Sequence, residues 1–311
     1  MVERDRSVCC YWVDIEKAFD TIWHEGLLHK LLVFGFPVPL IKIVQSFLSG
    51  RHFYVSVFDG CSEMFSIPAG LPQGSSLSPC LYNLFTADLM VPSGADLAQF
   101  ADDTGILCSG KNPERITRVL EKSFRAISKF YYKWRIRIND RKTGAVFFSR
   151  RRAARFLPRR GISLNGNMVS WSDYIKYLGV LLDRKLTFGE NAKHTRVKAL
   201  KCMRMVYPLI NRKSKLSPRN KLLVFKSSLR PVLLYAAPVW GGCANSHFKG
   251  LQIAQNKCLR MVSNKPYCYP TLKLHEDTRV SFVKDSVKVQ TDKFVSSCVF
   301  SENPLISSLF S

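Results

Sequence analysis

The sequence predicts an α+β protein, because short strand patterns and helix patterns alternate to about residue 185 and only helix patterns follow. The chain has 311 residues, 46% of them hydrophobic, which is enough for two domains and a sizeable core. We expect an α+β domain over residues 1–185 and a helical domain over 186–280. For the C-terminal tail, 281–311, the sequence leaves the degree of order open.

The elements of the first part follow from apolar spacing and turn residues. A buried-type strand opens the chain and must pair with a strand further along it. The pair Asp59-Gly60 is a strong two-residue turn signal, and proline at the first helical position favours a helix start. The predicted elements are a strand at Val8–Val13, helices at 21–32 and 39–48, a hairpin turning at Asp59-Gly60, and a helix beginning at Pro79 with Ser76 or Ser78 as its cap.

The most regular helix pattern covers residues 113–134, with Asn112 as the cap and Pro113 first. Further elements are a strand within KTGAVFFSR, a hairpin turning at Asn165-Gly166, and helices at 191–210, 217–240 and 246–262.

The charge is strongly positive and unevenly placed. The net charge is +24, and residues 151–311 hold 29 Lys and Arg against 8 Asp and Glu, while residues 1–150 hold 18 against 15. One strongly basic half is typical of a nucleic-acid binder, although an inert basic surface would give the same composition.

The ten cysteines include no C-x-x-C pair, and no signal-peptide pattern opens the chain. No apolar run reaches the roughly 20 residues that a membrane span needs. The chain is therefore expected to be a soluble protein of a reducing compartment. The residues that could be imagined as a zinc site are irregularly spaced, which disfavours such a site: Cys243, His247, Cys258, Cys268 and His275.

The stretch LAQFADDTGILC, residues 97–108, predicts two strands around a turn that carries Asp102 and Asp103. Hairpin turns favour Asn-Gly or Asp-Gly, so this turn has poor chemistry and two repelling charges. Asp14 ends the strand Val8–Val13. If that strand pairs beside the hairpin, three carboxylates meet at one sheet edge, where two Mg²⁺ ions would neutralise them and serve a phosphoryl transfer. A solvated acidic turn is the alternative.

These residues also resemble a known family. VDIEKAFD at 13–20, GLPQGSSLSPCLYNLF at 70–85 and FADD at 100–103 stand in the order of reverse transcriptase palm motifs, and KTGAVFFSR and YIKYLGVLLD are similar to the two later ones. The phrases AFDTIWHEGLLHKL and RPVLLYAAPVW resemble non-long-terminal-repeat retrotransposon enzymes, particularly jockey-like elements. The resemblance implies a palm, an antiparallel sheet packed on helices, followed by a helical thumb-like domain, with the fingers largely missing.

The resemblance implies an RNA-directed DNA polymerase that uses two Mg²⁺ ions, or Mn²⁺, with an RNA template, a DNA primer and deoxynucleoside triphosphates. Asp14, Asp102 and Asp103 would be catalytic and metal-binding. Phe19 would exclude a 2′-hydroxyl, unless it is only a core aromatic. The other residues implied at the nucleotide are Gln73, Gly74 and, for pyrophosphate, Lys142.

Basic side chains would hold the nucleic acid. Arginines dominate residues 150–160, a segment that could contact phosphates, direct nuclear import or be a solvated loop. The first helix of the second part carries basic residues spaced to line one side. The predicted nucleic-acid contacts are Arg150, Arg151, Arg152, Lys193, Arg196, Lys198, Lys201 and Arg204.

The family pattern has a fingers region before the first palm motif, whereas 13 residues precede Asp14 here. The sequence therefore suggests a fragment of a longer polyprotein, acting inside the cell in cytoplasm and nucleus, which binds duplex and extends a primer poorly. A catalytically silent nucleic-acid-binding remnant is the alternative. The oligomeric state stays open.

Overall fold

The computed structural model describes residues 7–139, 143–149, 162–164, 167–169 and 171–307. The chain divides into two compact units, Met1–Ile175 and Lys176–Ser311. Each unit has its own hydrophobic core. The α+β fold class is confirmed, since strands lie in the first part of the chain and, among the described residues, helices are the regular elements after residue 183.

A five-stranded sheet forms the centre of the first unit, in the order β11-β8-β1-β7-β6. Its strands are β1 (Ser7–Val13), β6 (Asp96–Phe100), β7 (Asp103–Gly110), β8 (Gly144–Phe148) and β11 (Trp171–Ser172). The pairs β1–β7, β1–β8 and β6–β7 are antiparallel, and only the short edge strand β11 runs parallel to its neighbour. As predicted, the opening strand pairs with the aspartate hairpin.

Four helices accompany the sheet: α1 (His24–Val33), α2 (Val38–Leu48), α3 (Leu77–Thr86) and α4 (Pro113–Lys133). The α4 prediction is confirmed, because the Asn112 side chain accepts hydrogen bonds from the backbone N–H groups of Glu114 and Arg115. The ring of Phe124 packs edge-on against Tyr11 of β1, with centroids 4.9 Å apart, so α4 covers one side of the sheet.

Two predicted boundaries in this unit were wrong. The helix expected from Pro79 begins at Leu77, and neither proposed serine caps it: Ser76 makes no capping hydrogen bond, and the Ser78 hydroxyl instead donates to the Pro72 carbonyl at 2.7 Å. The helix expected from residue 21 begins at His24.

Short strands between α2 and α3 form two nested hairpins: β2 (His52–Phe53) with β5 (Phe65–Ser66), and β3 (Ser56–Val57) with β4 (Gly60–Cys61). The turn predicted at Asp59-Gly60 is wrong by one residue, since Gly60 pairs with Val57 and the turn is Phe58-Asp59. Phe58 takes the positive φ of 50° that such a turn requires.

Two further hairpins complete the strands. β9 (Ile162–Leu164) pairs with β10 (Asn167–Val169), and β12 (Tyr174–Tyr177) with β13 (Val180–Asp183). The Leu164–Asn167 pair brackets the turn predicted at Asn165-Gly166, whose two residues lie outside the described part.

The second unit begins within the β12–β13 hairpin and continues with helices: α5 (Gly189–Met205), α6 (Tyr207–Ile210), α7 (Pro218–Val224), α8 (Arg230–Leu234), α9 (Ala237–Trp240), α10 (Asn245–Val262), α11 (Thr271–Thr278), α12 (Val283–Val299) and α13 (Pro304–Ser307). Ser217 caps α7 as predicted, its hydroxyl accepting from the Asn220 N–H. Within the tail whose order was open, Val283–Val299 is helical.

The single helix predicted over 217–240 is wrong. A π-helical turn, Phe225–Leu229, separates α7 from α8, and the chain is extended at Tyr235 before α9. Proline explains both interruptions: Pro231 and Pro238 lack the N–H that a continuous helix needs, and each lies in the first turn of the next helix.

In the described part of the chain, no helix is both long and apolar enough to cross a bilayer. All ten cysteines are free thiols.

Candidate active site

The strand register brings three aspartate positions to one end of the sheet. Val13 of β1 lies opposite Thr104 of β7, so Asp14, one residue on, lies beside Asp103. Cβ atoms of such cross-strand neighbours are about 4.5–5.5 Å apart. Asp102 shares the two-residue turn between β6 and β7 with Ala101, whose φ is 51°. An alanine in this left-handed conformation costs about 1–2 kcal/mol, so the turn is strained at the position where it presents the carboxylate.

The backbone around Asp14 is held on its other side by the segment after α4. The Asn139 N–H donates to the Asp14 carbonyl at 2.8 Å, and the Glu16 N–H donates to Arg137 at 2.9 Å. Ile15 and Ile138 form an antiparallel bridge between these bonds. Asp14 is therefore fixed by neighbours on both sides, and its carboxylate is half-buried.

The donor set suits a hard divalent cation, since carboxylate oxygens are the ligands that Mg²⁺ prefers. The side chains do not converge into a metal site as they stand: within the described residues, no three His, Cys, Asp or Glu side chains are arranged to hold a metal ion. The strand register brings the three positions to one end of the sheet.

A buried tyrosine hydroxyl lies near this end of the sheet. Tyr82 of α3 is 1% exposed, and its hydroxyl has no hydrogen-bond partner among the described residues. Burial raises the pKa of Tyr82 far above its usual value, and the nearby Tyr131 and Asp102 raise it further. The charge of Asp102 therefore reaches the Tyr82 hydroxyl, which stays protonated and able to donate.

Phe19 stacks on the ring of Tyr82, with centroids 5.0 Å apart and planes 29° from parallel. Phe19 is half-buried, and it packs against the edge of the core. Both readings of Phe19 from the sequence are compatible with this position, since the core fixes one side of the ring and the rest stays accessible.

The loop 70–74 is tied closely to the chain after Phe19. The Leu71 N–H donates to the Phe19 carbonyl at 2.7 Å, and the Gly70 N–H to the Ile22 carbonyl at 2.8 Å. The Gly70 carbonyl is in turn within 2.7 Å of His24 Nε2, and it accepts from the Arg51 guanidinium at 2.8 Å. These contacts make the loop a fixed part of the site.

The amide of Gln73 donates to the Asp20 carboxylate at 2.8 Å, so Asp20 orients the residue predicted to touch the nucleotide. Sequence reasoning missed three residues of this site: His24, Arg51 and Tyr82. Tyr82 lies within the quoted stretch 70–85 and His24 within AFDTIWHEGLLHKL, but their spacing does not indicate contact with the loop or with Asp102, and Arg51 lies in no quoted motif.

The sequence profile described as "Reverse transcriptase (RNA-dependent DNA polymerase)" matches residues 1–182, more than half of the chain. The chain belongs to the reverse transcriptase family. This match covers all of the first unit, with its antiparallel strands and aspartate hairpin.

Its relatives are enzymes of mobile elements. The chain is 36% identical over 293 residues to the RNA-directed DNA polymerase from mobile element jockey of Drosophila melanogaster, covering 91% of this chain and 31% of that one. It is 31% identical to the probable polymerases from transposon BS and transposon X-element of the same species, covering 93% and 96% of this chain and 33% of each relative. The chain thus spans about a third of the length of these relatives. The resemblance to non-long-terminal-repeat retrotransposon enzymes is confirmed.

Among solved structures, apo telomerase from Candida tropicalis matches with a TM-score of 0.43 at 10% identity, covering 97% of this chain and 53% of that one.

In the second unit, all the basic residues predicted on α5 are exposed: Lys193, Arg196, Lys198, Lys201 and Arg204. They do not line one side as predicted, because Arg196 and Lys198 are about 160° apart around a helix of 3.6 residues per turn. Lys193 pairs with Glu190 at 2.7 Å.

A groove of about 320 Å³ lies between α5 and α10, and the sequence gave no sign of it. The side chain of Arg196 packs over Gly250, and a Cβ at position 250 would lie 3.3 Å from the Cδ of Arg196. The groove is lined by basic and small residues, including Lys193, Arg196, His247 and Lys249.

Four predicted site residues lie outside the described residues: Lys142, Arg150, Arg151 and Arg152.

Proposed function

We propose that this chain carries out the nucleotidyl transfer of an RNA-directed DNA polymerase of a non-long-terminal-repeat retrotransposon. The observation that supports it most directly is the register that sets Asp14 beside Asp103, with Asp102 in the adjoining turn, in a chain of the reverse transcriptase family. Mg²⁺ ions, or Mn²⁺, bound by these carboxylates would supply the charge that stabilises the transferred phosphoryl group.

The neighbouring residues would position the incoming deoxynucleotide. The ring of Phe19 stacks on Tyr82. Its accessible edge would lie against the sugar, where a 2′-hydroxyl would collide with it. Gln73, oriented by Asp20, would contact the nascent pair, and the exposed Gly74 would let the strand approach. For Lys142 we propose contact with the leaving pyrophosphate.

The basic residues of the second unit would bind the phosphates of the RNA template and DNA primer. The groove between α5 and α10 adds His247 and Lys249 to the residues predicted on α5. Arg150, Arg151 and Arg152 are proposed as further contacts. Such an enzyme would act within the cell, in cytoplasm and nucleus.

The test compares the 311-residue chain with Asp14→Asn and Asp102→Asn, using Asp96→Asn as the matched control. Asp96 is exposed at the far end of β6. We expect the first two variants to lose Mn²⁺ binding, measured by electron paramagnetic resonance, and any primer extension on an RNA template. Affinity for RNA–DNA duplex should stay within about twofold, since phosphate contacts lie elsewhere.

Extension that persists in both variants would contradict the residue assignment. If the unaltered chain binds duplex yet neither binds Mn²⁺ nor incorporates a nucleotide, the chain is instead a silent nucleic-acid-binding remnant.

A further inference from the structure

Helix α4 carries a row of positive side chains on its outer surface. At 3.6 residues per turn, all members of this row fall within an arc of about 80° and extend for about 21 Å along the helix. We call it the α4 stripe, and it consists of Arg115, Arg118, Lys122, Arg125 and Lys129.

The α4 stripe faces solvent. Its five side chains are exposed, and none forms an ion pair with a described residue. The buried residues of α4, such as Leu120, Phe124 and Ile127, lie on the opposite side and pack into the core. Like charges three or four residues apart destabilise a helix by about 0.2–0.5 kcal/mol per pair. Two acidic residues of α4, Glu114 and Glu121, border the stripe on one side, about 20° and 40° beyond Arg125 around the helix, so the stripe is a band of five positive charges within a face that also holds two negative ones.

The stripe faces away from the candidate active site. The Thr104 and Tyr131 hydroxyls are hydrogen-bonded at 3.1 Å, so Thr104 faces α4. Successive strand residues alternate between the two sides, which places Asp103 on the side away from α4. The helix, about 10–12 Å in diameter, and the sheet therefore separate the stripe from the aspartates.

Two grooves follow the stripe. One, of about 770 Å³, lies at the start of α4 and is lined by Ser93, Gly94, Lys111 and Arg115 among others. The second, of about 620 Å³, lies beside Pro92 and is lined by four members of the stripe, Arg118, Lys122, Arg125 and Lys129, together with Glu121 and Ala126. Positive side chains of the stripe thus border both grooves, and residues 92–94 line one or the other of them.

We propose that the α4 stripe binds a single-stranded stretch of RNA outside the primer–template duplex. Basic side chains recur every three or four residues, about 5–6 Å apart, and present a line of donors to successive phosphates. Among the exposed residues of α4, Tyr132 near its C-terminal end is the one large hydrophobic side chain, so the stripe lacks the continuous apolar face that a membrane-bound helix buries. It also lacks the aromatic centre that protein interfaces typically have.

The experiment measures affinity of the 311-residue chain for two substrates across a salt series: a blunt RNA–DNA duplex, and the same duplex with a long single-stranded RNA extension. The test variant is Arg118→Gln/Lys122→Gln/Arg125→Gln. The matched control removes the same charge from exposed positions of α12, as Lys284→Gln/Lys288→Gln/Lys293→Gln. Circular dichroism checks that α4 stays folded, which we expect because repulsion is reduced.

The unaltered chain and the α12 control should bind the extended substrate more tightly than the blunt one. The α4 variant should lose that advantage, about tenfold at 0.1 M salt, and its log–log salt slope should fall by about two units, since each single-strand phosphate contributes about 0.7. Affinity for the blunt duplex should not change.

An equal loss in both triple variants would show a non-specific charge effect and overturn the proposal. The proposal would also be overturned if the α4 variant bound poly-L-glutamate more weakly than the unaltered chain but bound RNA equally well. That result would indicate that the stripe binds an acidic protein.

Discussion

At the scale of single residues, Gly70 and Gly74 are subject to different structural constraints that favour glycine. Both have positive φ, 89° and 85°. A Cβ at Gly70 would lie 2.6 Å from the Asp20 carbonyl oxygen, whereas nothing lies within 4 Å of a Cβ at Gly74. Gly70 is therefore required by packing and conformation together, and Gly74 by conformation alone.

We expect Gly70→Ala to lower the free energy of unfolding by about 2–4 kcal/mol, because left-handed strain adds to a backbone clash. Gly74→Ala should cost about 1–2 kcal/mol, from strain only. Urea unfolding of both variants measures the difference. Equal losses would mean that the 70–74 loop shifts freely and is not fixed by Asp20.

Much of the candidate site could be predicted at this scale, and the reason is local. Asp14, Asp102 and Asp103 end or join strands whose alternation is visible in the sequence. The Phe19–Tyr82 stack and the Asp20–Gln73 bond join residues far apart in the chain, 53 positions in the second case. Such contacts depend on how helices pack, which spacing alone does not encode.

At the scale of elements, helices with local signals were predicted well and others were not. Asn112 and Pro113 set the start of α4 within one turn. The break after α8 occurs at Tyr235, whose backbone is extended. Pro231 and Pro238 could have indicated the interruptions of the helix predicted over 217–240.

Lys30 links three helices of the first unit. It is 2% exposed in α1, donates to the Phe85 carbonyl of α3 at 2.5 Å and pairs with Asp88. Its ammonium also lies 3.9 Å from the ring centroid of Trp134, directly after α4. Burial lowers the pKa of Lys30, while Asp88 opposes that shift.

We expect Lys30→Ala to cost about 3–5 kcal/mol, since it leaves a cavity and removes the hydrogen bonds and cation–π contact together. Lys30→Met keeps most of the volume and should cost about 1–2 kcal/mol. Lys42→Ala, exposed on α2, should stay within about 0.5 kcal/mol. Thermal and urea unfolding measure all three, and equal costs for Ala and Met would assign the stabilisation to the charge rather than to packing.

At the scale of the whole molecule, the net charge of a long segment does not indicate where charged side chains cluster on its surface. Residues 1–150 are nearly balanced, at 18 basic against 15 acidic residues, yet five of the basic ones form the α4 stripe. The helical period and the buried face together identify this surface, so it requires the structure as well as the sequence.

Buried thiols in both units make the whole protein sensitive to alkali. Burial raises the pKa of Cys108 to about 12, with Asp96 adding to the shift, and burial raises that of Cys258 to about 12, with Cys202 adding. Burial likewise raises the pKa of Cys9 and Cys10 well above their usual value. Each thiol stays protonated in the folded chain at a pH where the unfolded chain has lost the proton.

The unfolded state therefore binds fewer protons above pH about 8.5, and the free energy of unfolding falls as pH rises toward the folded pKa. Each thiol contributes about 1.4 kcal/mol per pH unit within that window and nothing below it. We expect Cys108→Ala and Cys258→Ala each to reduce this slope by one thiol's share, in the unit that carries the residue, while the exposed Cys61→Ala leaves the slope unchanged. Urea unfolding at pH 8, 9 and 10 under reducing conditions measures the slopes. A slope that is the same in all three variants would mean that the buried thiols ionise without unfolding, and that neither core excludes water as tightly as its packing indicates.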